Sequence, residues 1–284
     1  MPYAAEISRA NPTCFLFLID QSESMRNNIG GGDKPMQKAE AVADAVNRLL
    51  SELSIKCAKE DGVRDYFHVG VIGYGASVDP IFEGKLAGRD LVPLSEVAAH
   101  PARLEERTRS FTTTAGTEVA AVGSGRKVMF PTWFSPVAYG DTPMFGAFTR
   151  ARSILETWLA DHPQSFPPIV VNITDGESTD GDATPVARSL QSLSNADGAV
   201  LLFNLHLSAD QSEPIVFPAE ETNLPDDFAR KLHRMSSVLP DQMREAANRQ
   251  GLVLEAEARG FAFNADISAI VQFLDVGTQV LELR

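Results

Sequence analysis

Short, continuously apolar runs alternate along this chain with stretches whose apolar residues recur every three or four positions. Cys14-Phe-Leu-Phe-Leu-Ile19, bounded by Pro12 and Asp20, reads as a strand buried on both faces. A glycine-rich loop, Gly30-Gly31-Gly32-Asp33, follows, and Pro35 then opens a segment in which Val42, Val46, Leu49, Leu50, Leu53 and Cys57 fall on one side of a long helix. Phe67 to Tyr74 predicts a second strand, and Ser77 to Phe82, set off by Gly75-Ala76, an adjoining short antiparallel one. Later segments keep the alternation. Thr142-Pro143 starts a helix carrying Phe145, Phe148, Ile154, Leu155 and Trp158; Pro168 to Ile173 is a buried strand; Ala183 to Ser194 a helix; Ala199 to Leu205 a strand. Asp241 to Arg249 reads as a helix, Gly260 to Phe263 as a last short strand, and Ile267, Ile270, Val271 and Leu274 mark a final helix.

Strands that are apolar throughout, separated by helices, predict an α/β fold: a doubly wound, mostly parallel sheet, Rossmann-like, with helices on both faces and one antiparallel edge strand. We expect a single domain over residues 13–281. Between Glu83 and Gly140 the periodicity dissolves, so 83–140 is expected to be an inserted hairpin or lobe with some structure of its own. Ligands of such sheets bind beyond the carboxyl ends of the strands. That rule singles out Asp20, directly after the first strand, and Asp175, just after the strand ending near Ile173.

Composition narrows the function classes. A formal net charge of −13 disfavours nucleic acid and anionic membrane as partners, since both recruit basic patches. No apolar run reaches the ~20 residues of a membrane span, and the run after the polar first ten residues is too short for a secretory signal core. Cys14 and Cys57 each sit in an apolar-periodic segment and read as buried thiols, so the expected location is cytoplasmic.

Asp20-Gln21-Ser22-Glu23-Ser24 places a carboxylate and two hydroxyls at alternate positions of one loop, and a second oxygen-rich loop runs from Asp175 through Gly176-Glu177-Ser178-Thr179 to Asp180. Oxygen-only donors suit a hard cation, Mg2+ or else Mn2+ or Ca2+. Each element also has a plain structural use: Thr142 before Pro143 is an ordinary helix cap, Ser24 a turn cap, Asp175-Gly176 a turn pair. Jointly, close carboxylates in neighbouring loops call for a cation or a proton to relieve their repulsion. The five histidines, His68, His100, His162, His206 and His233, lack ligand spacing and read as packing or surface residues.

Asp20-x-Ser22-x-Ser24, Thr142 within Gly140-Asp-Thr-Pro-Met144, and Asp175 within Ile173-Thr-Asp-Gly-Glu177 together resemble the metal-ion-dependent adhesion site of the von Willebrand factor A family. The style is similar to its free-standing intracellular bacterial members, some of which are encoded beside a protein kinase and a phosphatase. The resemblance implies that Ser22, Ser24 and Thr142 coordinate the metal directly, that Asp20 and Asp175 act through bound water, and that a carboxylate from a protein partner fills the open position. It implies a binding module, not an enzyme. Glu23 departs from the family pattern, which has glycine there, and so bears on metal affinity and partner choice. Two alternatives stand beside this reading. One is a scaffold of the same fold that binds without metal. The other is a phosphatase of the haloacid dehalogenase type, which requires Asp-x-Asp where this chain has Ser22 in the third position.

Overall fold

In the computed structural model, residues 3–29, 36–108, 127–208, 213–249 and 251–264 are described. The expected final helix, the Gly30 to Asp33 loop, Pro35 and residues 109–126 of the insertion lie outside them. In chain order the strands are β1 (Thr13–Asp20), β2 (Ala58–Lys59), β3 (Gly62–Val63), β4 (Phe67–Tyr74), β5 (Val78–Pro80), β6 (Val92–Pro93), β7 (Arg103–Thr108), β8 (Lys127–Thr132), β9 (Ile169–Thr174), β10 (Leu201–His206), β11 (Ile215–Val216) and β12 (Phe261–Phe263). The helices are α1 (Lys38–Lys56), α2 (Leu94–Ala99), α3 (Met144–Asp161), α4 (Thr184–Gln191), α5 (Asp227–Met235) and α6 (Asp241–Arg249).

Among the described residues one sheet runs in the order β11-β12-β10-β9-β1-β4-β5, with β6 also paired to β4. Its five central strands are parallel, and β5, β6 and β11 are antiparallel additions. The pattern of apolar residues announced one antiparallel edge strand; β6 and β11 are two residues long, too short to carry an alternation. The sheet is doubly wound. Phe15, Phe17 and Ile19 of β1 face a core shared with α1, α2 and α6, while Cys14, Leu16 and Leu18 face a second core shared with α3, α4 and α5. Because β1 alternates between two apolar layers, every one of its residues is buried. The two cysteines sit on opposite faces as buried free thiols.

Two helices also differ from the sequence reading. The first described residue of α1 is Lys38, not Pro35, and the turn before it is closed by Gln37 N donating to Glu40 Oε2 at 3.3 Å. Helix α5 was not anticipated, although Asp226 caps it by accepting from Ala229 N at 2.7 Å and Ala229, Leu232 and Met235 form its buried stripe.

Within 83–140 the chain makes the β7–β8 hairpin and α2, and then returns to the main core: Trp133 is 2% exposed, its indole N–H donates to Val97 O at 2.6 Å, and its backbone N–H donates to Asn47 Oδ1 of α1 at 2.8 Å.

Candidate metal centre

Parallel register brings the ends of three strands level: Asp20 pairs with Tyr74 across β1–β4, and Ile19 pairs with Ile173 across β1–β9. The chain leaves β1 and β9 at the same edge, which is why residues more than 150 apart in sequence meet there. Ser24 Oγ donates to Asp175 Oδ1 at 2.6 Å, and Ser22 Oγ lies 3.0 Å from Ser24 Oγ. Since the Ser24 proton is committed to Asp175, Ser22 is the donor in that pair, and the three groups form one relay of oxygens.

Asp20 sits beneath this relay, fully buried. Its Oδ1 accepts from Ser22 N at 2.8 Å and its Oδ2 from Thr174 Oγ1 at 2.7 Å, so it shapes the loop instead of facing outward. Burial pushes its carboxyl up to about 6, against the hydrogen bonds from Ser22 and Thr174; the nearby Asp175 charge pushes the same way as burial.

Thr142 reaches the site along a third path. Tyr139 N donates to Gln21 O at 2.6 Å and Glu23 N to Gly140 O at 3.0 Å, laying residues 139–140 beside the loop after β1. Gly140 has φ +101°, and a Cβ there would stand 2.4 Å from Ala76 N, so this close approach needs glycine. Beyond it, Thr142 N donates to Thr179 Oγ1 at 3.1 Å and Thr179 N to Thr142 O at 2.9 Å, tying Thr142 to the loop after β9. A Cβ on Gly176 would lie 3.7 Å from Thr142 Oγ1.

The helix-cap role considered for Thr142 belongs to another residue. Asp180 accepts from Phe145 N at 3.0 Å and Gly146 N at 2.8 Å, capping α3 from the opposite loop. Thr142 Oγ1 makes no hydrogen bond to any described residue, which leaves that hydroxyl available at the site.

Glu23 begins a 3-10 turn, Glu23–Arg26, with its side chain exposed and 3.9 Å from Arg26. The turn has negative φ, so a side chain in place of glycine brings no strain.

One residue at the site was missed from sequence. Lys38 Nζ donates to Asp175 Oδ2 at 2.9 Å, with the Lys38 side chain 5% and the Asp175 side chain 1% exposed. A lysine in the first turn of a helix, where the dipole disfavours a cation, was a usable signal. His206, read as packing or surface, is buried at the end of β10 against Phe228 and Phe263. It lies close enough to Lys38 and Asp175 to feel both charges, and burial pulls its ring down to about 4.

The donor chemistry fits a hard divalent cation: the hydroxyls of Ser22, Ser24 and Thr142 and the carboxylates of Asp20 and Asp175 are all oxygen, on three adjoining loops. Among the described residues there is no cluster of three or more His, Cys, Asp or Glu, so any ion held here would take its direct ligands mainly from the hydroxyls.

No protein-family model matches the chain, and no curated protein does. Solved structures resemble it at low identity. These include the von Willebrand factor type A protein from Catenulispora acidiphila (16% identical, TM-score 0.42, covering 87% of this chain and 43% of that one) and the PilB minor pilin from Streptococcus sanguinis (10%, 0.46, 95% and 61%). A third is the ArnB paralog VWA2 from Sulfolobus acidocaldarius (14%, 0.33, 69% and 35%). In each case this chain covers less than two thirds of the other's length, and the likeness is one of fold alone. By its own strand order the chain has a doubly wound, mostly parallel, Rossmann-like α/β fold, with the Asp20, Thr142 and Asp175 loops gathered at one sheet edge, which is the architecture that the resemblance to the von Willebrand factor A family implies.

Proposed function

We propose that this edge of the sheet is a divalent-cation-dependent site for a protein partner, and that the chain is a binding module, not an enzyme. The observation that carries the reading is the oxygen relay from Ser22 through Ser24 to Asp175, beside a Thr142 hydroxyl with no partner among the described residues. Ser22, Ser24 and Thr142 would hold the ion directly. Asp20 and Asp175 would orient those hydroxyls and balance its charge. Mg2+ is the expected ion, with Mn2+ or Ca2+ as substitutes. When bound, the ion supplies an electrophilic position for an acidic side chain of the partner, because the direct protein ligands are neutral and fewer than the six oxygens magnesium favours. The reading is of a cytoplasmic protein, supported by the two buried free thiols; a setting beside a bacterial kinase and phosphatase remains part of the family resemblance. Among the described residues no helix is long and apolar enough to cross a membrane.

The phosphatase alternative loses support from the state of Asp20. An attacking carboxylate needs a free oxygen facing substrate, and both oxygens of Asp20 accept hydrogen bonds from inside the protein.

Thermal melting in MgCl2 or MnCl2 against EDTA tests the proposal. An ion that binds only the folded state stabilises it by about 2.7 kcal/mol at a hundredfold excess over Kd. A higher Tm in cation than in EDTA is expected, and superimposable curves would count against a metal site.

A further inference from the structure

We infer that Lys38 is a resident cation of this site: its ammonium neutralises Asp175, ties α1 to the loop after β9 without a divalent ion, and competes with such an ion for the same carboxylate. The competition rests on the cation reading above; the neutralisation does not.

The argument begins with the cost of placing Lys38 where it is. The residue is 4% exposed, and lysine is almost never so buried unless paired. It is also the first residue of α1, where the positive end of the helix dipole repels an ammonium. Both effects oppose a charged lysine at this position. What offsets them among the described residues is the contact at 2.9 Å with Asp175 Oδ2, itself nearly sealed from water. The backbone reinforces the placement, since Lys38 N donates to Asn27 O at 2.9 Å and so ties the start of α1 to the loop that carries Ser22 and Ser24.

Both oxygens of Asp175 are therefore already engaged. Ser24 donates to Oδ1 and Lys38 to Oδ2. A divalent ion drawing on Asp175 shares an oxygen with one of these donors and sits near an ammonium whose repulsion is strong at low local dielectric. The result is a site that stays assembled without metal and holds metal more weakly than its donors alone would.

Two measurements test this, with Mn2+ alone as the probe. The first compares Tm in EDTA for wild type, Lys38→Met, Asp175→Asn and the double variant. Losing one partner of a buried pair should lower Tm by roughly 10 °C, with most of it recovered when both are neutral. The second measures Mn2+ affinity by calorimetry. Lys38→Met should bind about tenfold or more tightly than wild type, a difference of about 1.4 kcal/mol, and Lys38→Arg should bind like wild type. Additive melting effects would overturn the inference whatever the affinities, as would Mn2+ affinity that is unchanged or weaker in Lys38→Met. If the two positions are coupled in EDTA but neither protein binds Mn2+, the cation-dependent function fails, and Lys38 stands as the permanent cation of a metal-independent site.

Discussion

Thr142 and Asp180 exchange the roles their sequence contexts suggest. Thr142 precedes a proline and a helix, yet the helix is capped from across the site by Asp180. This separates two effects that sequence alone would assign to one residue. Thr142→Ala should remove the cation-dependent rise in Tm while lowering stability in EDTA by about 1 kcal/mol or less, the worth of a buried methyl. Asp180→Ala should lower stability by a similar amount with and without cation, about 1–2 kcal/mol for a lost cap. Melting both variants under both conditions checks the pair, and a cation response that survives Thr142→Ala would remove that residue from the ligand set.

At the scale of elements, the strands beneath the site are joined by a buried polar chain. Tyr74 Oη donates to Asn172 Oδ1 at 2.7 Å, Asn172 Nδ2 to Asn204 Oδ1 at 3.0 Å, and Asn204 Nδ2 to Ser236 Oγ at 3.0 Å. These bonds link β4, β9, β10 and the end of α5 inside an apolar layer, where an unpaired polar group is costly. Asn172→Leu should destabilise by about 2–4 kcal/mol, read from the urea midpoint, because it strands the Asn204 side-chain carbonyl and leaves the Tyr74 hydroxyl only the long bond to Ile173 O at 3.4 Å. A cost under about 1 kcal/mol would mean that the chain contributes little.

A second inter-element contact carries pH dependence. Trp158 Nε1 of α3 donates to His68 Nδ1 of β4 at 2.9 Å, with His162 edge-on to His68 at a ring separation of 5.2 Å. Burial lowers the His68 ring below its usual range, and the neighbouring His162 lowers it further; burial lowers His162 too. The unfolded chain therefore takes up protons that the folded one refuses. Stability is full above the unfolded value of about 6.5 and falls as pH drops from there toward the folded value. Urea unfolding at steps from pH 7.5 to 5.0 should show this loss, deepened by the buried His206 and partly offset near pH 6 by Asp20, whose raised carboxyl takes up its proton first in the folded state. His68→Gln, which keeps an acceptor for Trp158, should make it shallower, and an identical slope would place the loss elsewhere.

At the scale of the whole molecule, β1 is the axis: it lies between β4 and β9, is buried on both faces, and delivers Asp20 to the site. Opening the site therefore means opening the centre of the sheet. Native-state hydrogen exchange should find the amides of Phe15 to Leu18 among the slowest, exchanging only on global unfolding. Those of the β7–β8 hairpin, where Leu104 and Met129 are exposed, should exchange far sooner. Equal protection in the two would contradict this hierarchy.

What the sequence by itself determined is the alternation of elements and the edge at which chemistry collects. Apolar runs such as Cys14 to Ile19 are legible because burial on both faces demands continuity, and Asp20 and Asp175 are legible because parallel strands end on the same side. Only the tertiary structure decided which groups those residues meet. Lys38 in the first turn of a helix hints at a buried partner but not at Asp175, 137 positions away, and Asp180 lies across the site from the helix it caps; a charge pair or a cap from another loop requires no fixed spacing in the chain. The two-residue strands β6 and β11 escaped notice because their stability comes from packing on the finished sheet, whereas α5 carried its own signal in the Asp226 cap and the Ala229, Leu232 and Met235 stripe.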